Sequence, residues 1–172
     1  MSVSFFWRRT SADVIASSSP QELLDMTLNW REEDPDLCAA GQIAYAESHS
    51  GLMDRVLREC CPEQPAAALP VYGGEARTDA GTNPDGEVEE YVAVVVLAPD
   101  AVAAAAEVMA HAEYAAWIAA HPQRMTEIVP DLRHSTPWSD AWAKHLVEDL
   151  EDLEDFYAAA AAGDAVVKHQ SC

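Results

Sequence analysis

The side chains best suited to chemistry in this 172-residue chain gather in its second half, where His111, His121, His134 and His145 alternate with Glu113, Asp131, Asp140 and Asp149. On a helix His145 and Asp149 stand one turn apart, a spacing at which a carboxylate orients an imidazole for general-base or metal work. His134, His145 and Asp149 therefore form one candidate site, although no HExxH-like pairing completes it. Scattered histidines without fixed spacing are ordinarily surface or packed residues, and that reading stands beside the first. The larger candidate is Glu148, Asp149, Glu151, Asp152, Glu154 and Asp155, six carboxylates within eight residues. A charge run of this kind is ordinarily a solvated face. Read functionally, it steers encounter with a basic partner and masks that partner's Lys and Arg side chains. A Ca²⁺ site is disfavoured, because helical carboxylates lack the looped oxygen cage that ion prefers.

The remaining reactive residue types lack the context that chemistry requires. Gly73-Gly74 follows Pro70-Val71-Tyr72, but the lysine of a phosphate loop is missing, so the pair reads as a turn. Ser17, Ser18 and Ser19 do not sit in a nucleophile elbow. Cys38, Cys60, Cys61 and Cys172 lack metal-site spacing, and adjacent residues such as Cys60 and Cys61 rarely bridge to each other. They read as reduced structural thiols of a cytosolic protein. No cofactor and no metal is expected.

Thirty acidic against ten basic side chains give a net charge of −20. That field repels phosphates, so direct binding to nucleic acid or an anionic membrane is disfavoured. The charge is spread along the chain and hides no basic island. A hydrophobic fraction of 49% still supports a globular core. The length fits one domain, residues 1–172. The apolar run Phe5-Phe6-Trp7 precedes Arg8 and Arg9, the reverse of a secretory signal, and no stretch approaches the roughly 20 apolar residues of a membrane span. The expected compartment is the cytoplasm.

The elements that must carry these residues follow from periodicity and punctuation. Val3 to Trp7 reads as a first strand. Ser11 and Asp13 cap a short helix through Val14 and Ile15, and Ser19-Pro20 with Glu22 opens a second one bearing Leu23, Leu24, Met26 and Leu28. Helices are expected over Asp36 to Ala46 and Ser50 to Cys60, and residues 62–90, rich in turn signals, form the least regular region. Tyr91 to Ala98, a β-branched run, is expected to be a central strand buried on both faces. Ala101 to Ala120 is one helix or two, and a short piece carries Met125, Ile128 and Val129. A long final helix opens at Ser135-Thr136-Pro137-Trp138 and ends at Gly163, with Trp138, Trp142, Leu146, Leu150, Leu153 and Tyr157 on its apolar stripe. Ala165 to Lys168 closes the chain as a strand. The fold class is α+β: a small sheet packed by several helices, with a long C-terminal amphipathic helix.

Two passages carry a resemblance. The run YVAVVVLAPDAV from Tyr91 to Val102, and the closing Leu153-Glu154-Asp155-Phe156-Tyr157-Ala158-Ala159-Ala160 with Gly163-Asp164-Ala165-Val166-Val167, resemble the YfbM-like bacterial family of unknown function. There a strand leads into a helix beginning Pro-acid-x-Val, and the chain closes on Leu-x-x-Phe-Tyr-x-x-Ala-x-x-Gly-x-Ala-Val. The likeness covers most of the chain, with its motifs in the second half. The first half departs from the pattern, since the family places a Trp and a downstream His on one helix and Trp30 and His49 are not so arranged. The resemblance implies a compact α+β fold and brings no activity or catalytic residue with it.

Two functions are compatible with these features. One is a non-enzymatic, immunity-like or inhibitor-like domain whose acidic face covers a basic partner surface. The other is a small enzyme or small-molecule binder between the central strand, the Gly73-Gly74 turn and the C-terminal helices.

Overall fold

Three consecutive aromatics cannot stay at a surface without a large apolar penalty. In the structure, a computed structural model that describes residues 4–28, 37, 40–47, 49–82, 85–132 and 137–171, Phe5, Phe6 and Trp7 are the buried half of strand β1 (Ser4–Thr10). Two short helices follow. In α1 (Ala12–Ser17) the Ser11 side chain accepts from the Val14 amide. In α2 (Pro20–Leu28) Ser19 and Glu22 form a reciprocal capping box, the Ser19 amide donating to Glu22 Oε2 at 2.7 Å and the Glu22 amide to Ser19 Oγ at 3.3 Å. The Ser19 amide first, and the Ser19 hydroxyl second, hold the Glu22 carboxyl below its usual range.

The chain continues through β2 (Ile43–Glu47), α3 (Ser50–Cys60), a 3₁₀ turn (Pro65–Ala68), β3 (Glu75–Thr82) and β4 (Val88–Leu97). Then come α4 (Pro99–His111), α5 (Tyr114–Ala120), α6 (Pro122–Asp131), the long α7 (Asp140–Ala160) and β5 (Ala165–Ser171). The five strands form one sheet in the order β2-β1-β5-β4-β3, and every neighbouring pair is antiparallel. One face carries Phe5, Trp7, Leu97 and Val166 against α3 to α7. The other carries Ala93, Val94, Val96, Ala165 and Val167 against Ile15, Leu23 and Leu24 of α1 and α2. The sheet is thus sandwiched unequally between two helical layers, an α+β arrangement. No helix among the described residues is long and apolar enough to cross a membrane.

Several local expectations change. Asp36 to Ala46 is not one helix: Leu37 is helical, but Gly41 takes φ +64, and Ile43–Glu47 pairs with β1. Tertiary pairing overrides the helix preference of the alanines there. The irregular region contains β3, whose sequence EARTDAGT has no apolar alternation because it is an edge strand exposed to solvent. The run from Tyr91 belongs to an inner strand paired on both sides over 95–97, while β5 holds the middle of the sheet. Its outer residues are not buried on both faces, since Tyr91 and Val92 are 41% and 54% exposed. The final helix begins at Asp140, capped by Ser139; of its expected opening, Ser135 and Thr136 lie outside the described residues, and Pro137 and Trp138 lie before the helix, the Trp138 ring edge-on to Trp142 at 6.3 Å.

Candidate functional site

Helix α7 exposes Glu148, Glu151, Asp152 and Asp155 and half-buries Asp149 and Glu154, so its carboxylates do not behave as one set. Leu146, Leu150, Leu153, Phe156, Tyr157 and Ala160 are buried. Each of the leucines and Phe156 stabilises the fold by roughly 1.5–3 kcal/mol, well above the few tenths that each like-charge pair along the helix costs. Glu154 is drawn inward by the Tyr114 hydroxyl, which donates to it at 2.6 Å. Burial first, and Glu154 second, push that phenol above its usual value, so Tyr114 stays a neutral donor. Glu148 meets Lys144 at 3.5 Å and His145 at 3.3 Å. Glu151, Asp152 and Asp155 are exposed and make no hydrogen bond or ion pair among the described residues.

Asp149 has the most consequential partner. Its Oδ2 lies 2.6 Å from Nδ1 of His49, a residue 100 positions away that precedes α3. The His49 ring also packs on Trp142, with centroids 5.2 Å apart. The pairing of Asp149 with His145 is therefore corrected: His145 is solvent-exposed and leans on Glu148, while Asp149 turns toward α3. No spacing rule links His49 to Asp149, because the contact is made by packing of α3 against α7. His111 and His121 each use Nδ1 on the carbonyl four residues earlier, at 2.7 and 2.8 Å, and so finish their own helices. His134 lies outside the described residues. Among the described residues no group of three or more His, Cys, Asp or Glu side chains is placed to hold a metal ion.

Two concavities flank α7. Toward β2, a groove of about 390 Å³ is walled by Ile43, Tyr45 and Phe156 with Asp152 and Asp155 on its rim. Toward α5 and α6, a more apolar groove of about 440 Å³ is lined by Ile118, Ala119, Trp138 and Val147.

A buried polar centre has no counterpart in the sequence reading. Lys168, expected only as the end of a strand, is wholly buried in β5 and donates to the carbonyls of Leu69, at 2.7 Å, and Gly73. Between those two carbonyls, Pro70 O accepts from Trp7 Nε1 at 2.7 Å and from the Tyr157 hydroxyl at 2.9 Å. Side chains from β1, α7 and β5 thus converge on one turn. Burial lowers the Lys168 amine to about 7, and the nearby Asp54 opposes this only in part. Asp54 itself is pushed up by desolvation, and its Oδ1 is buried without a hydrogen-bond partner among the described residues. The one available sequence signal was a lysine directly after the fully apolar Ala165-Val166-Val167.

The turn also explains Gly73-Gly74. A Cβ on Gly73 would meet Ala68 O at 2.8 Å, and one on Gly74, where φ is +136, would meet Val95 Cγ1 at 2.7 Å. The glycines serve close backbone approach and carry no phosphate-loop lysine. Cys60 and Cys61 are free thiols with their sulfurs 3.7 Å apart, and burial pushes the Cys60 thiol up to about 12. Cys38 and Cys172 lie outside the described residues.

No family model, curated protein or solved structure matches the chain.

Proposed function

We propose that this chain is a non-enzymatic, cytoplasmic protein-binding domain, immunity-like or inhibitor-like, whose acidic face covers a basic surface of its partner. The observation that supports it is the groove between β2 and α7. Asp152 and Asp155 stand on its rim without partners among the described residues, and Tyr45 and Phe156 line it. Such a groove suits a Lys or Arg side chain, its aliphatic stem against the rings and its charged head at the carboxylates. The net charge of −20 adds long-range steering toward a basic partner and away from nucleic acid. Under this reading Asp149 and Glu154 hold α7 in place, and Glu151, Asp152 and Asp155 make the contact. The YfbM-like resemblance of the closing motif is compatible with the reading and adds no residue to it.

Affinity capture with the wild-type chain and with an Asp152→Asn/Asp155→Asn variant, at low and moderate salt, tests it. The expected result is a basic protein retained by the wild type, weakened by salt and lost by the variant. Absence of any partner at both salt concentrations, or equal retention by the variant, would overturn it.

A further inference from the structure

The sheet forks between β4 and β5. Among the described residues these strands pair only over Val95↔Lys168, Val96↔Val167 and Leu97↔Val166. Beyond that point β5 stays with β1 as far as Ser171, and β4 stays with β3 back to Val88. The parting coincides with a bulge: Arg77 faces Val94 and Thr78 faces Val92, leaving Ala93 as the extra residue of β4. A bulge bends its strand and raises the local twist, which carries the β3–β4 ribbon away from β5. At the root of the fork, His169 of β5 reaches across with Nδ1 2.9 Å from Ala93 O. Burial keeps that imidazole below its ordinary value, so it serves as a neutral donor to the bulge carbonyl.

The opening is apolar where a strand edge ordinarily is not. A cleft of about 260 Å³ lies in the fork, with Phe5, Tyr72, Val92 and His169 among its walls. Five large apolar side chains are exposed among the described residues, and four of them, Tyr72, Val88, Tyr91 and Val92, belong to this ribbon and the adjoining turn. Val88 is 75% exposed. Unprotected strand edges with apolar side chains pair readily with another chain, and natural proteins usually blunt them. Charge identifies which chain. The ribbon and its connecting turn carry Glu75, Asp79, Asp85, Glu87, Glu89 and Glu90 against the single cation Arg77. A second copy, itself at −20, is repelled.

We propose that the edge of β4 over residues 88–92, on the side away from β3, accepts an extended segment of a partner protein as an added strand, in which apolar residues alternate with Lys or Arg. Main-chain bonds supply the affinity, the cleft beside Val92 receives an apolar side chain, and the flanking carboxylates select the basic residues. This surface lies at the opposite end of the sheet from the β2–α7 groove and stands whether or not that groove binds a partner.

A fluorescein-labelled seven-residue peptide alternating lysine and valine tests the proposal by anisotropy and by amide shifts in the NMR spectrum. Binding is expected to shift and protect amides of residues 88–92 and 169–171. Replacing the central valine of the peptide with proline, which cannot donate to a ladder, weakens it by about ten-fold or more. Glu89→Lys with Glu90→Lys on the exposed ribbon does the same, whereas Asp152→Asn/Asp155→Asn leaves the affinity unchanged. No saturable binding, equal binding of the proline peptide, or shifts confined to α7 would overturn the proposal. Self-association of the chain through residues 88–92, seen by sedimentation, would overturn the choice of occupant.

Discussion

Raising the pH from about 7 to about 8.5 is expected to stabilise this protein, because Lys168 is buried before it is charged. Its folded amine titrates at about 7 against an ordinary value of 10.5. Between those values the unfolded chain retains a proton that the folded chain has released, so the unfolding free energy rises with pH across that window. Over this interval the difference in bound protons is worth a gain on the order of 1–2 kcal/mol. The neutral amine still has two N–H groups, one for Leu69 O and one for Gly73 O, so the turn keeps both bonds when the charge is lost. Cys60, Tyr114 and Tyr157 titrate above their ordinary values and act in the opposite direction at higher pH, which sets the upper limit of the interval. The assay is urea unfolding followed by tryptophan fluorescence at fixed ionic strength, for the wild type and Lys168→Met. The variant loses the pH-dependent gain and is less stable at every pH, since each buried carbonyl left without a donor costs about 1–3 kcal/mol. A flat wild-type profile, or the same rise in Lys168→Met, would refute the reasoning.

Three further outcomes follow from the same contacts. Gly74→Ala forces a Cβ against Val95 and Val96 at φ +136 and is expected to cost ~2–4 kcal/mol in chemical denaturation. Tyr157→Phe and Trp7→Phe each remove one of two donors to Pro70 O. Tyr157→Phe alone is expected to cost about 1 kcal/mol, and the double variant more than the sum of the two, because only then is the carbonyl orphaned. A double-mutant cycle on His49→Ala and Asp149→Asn should give a coupling of about 1 kcal/mol in stability, whereas the corresponding cycle on His145 and Asp149 should give none.

What could be read in the sequence was what local signals encode. The capping box at Ser19 and Glu22, the stripe of the last helix and the β-branched run into Pro99 each specify an element within a few residues, and the structure has all three. What escaped was set by partners distant in sequence. β3 has no apolar alternation, because its neighbour β4 supplies the pairing, one face is open to solvent and the other is only half-buried. Ile43–Glu47 became a strand because Gly41 turned the chain and β1 offered an edge. At the candidate site, the acidic run was visible, but its division into anchoring and exposed carboxylates was not. That division depends on His49, just before α3, and on Tyr114 of α5. Lys168 was hidden for the same reason, since only the tertiary fold shows which carbonyls meet it.

The strand order has a consequence for how the molecule assembles. β5 follows every other element in sequence but sits between β1 and β4, so during synthesis the ribbons β2–β1 and β3–β4 have no neighbour in common until residues 165–171 leave the ribosome. The first and last strands then join across more than 150 positions, a closure that is slow and leaves unpaired edges exposed meanwhile. Deleting 165–171 would not merely shorten the chain. It would leave two separate two-stranded ribbons, each below the size that is stable alone in water, and take from the turn at Pro70 the lysine that fastens it.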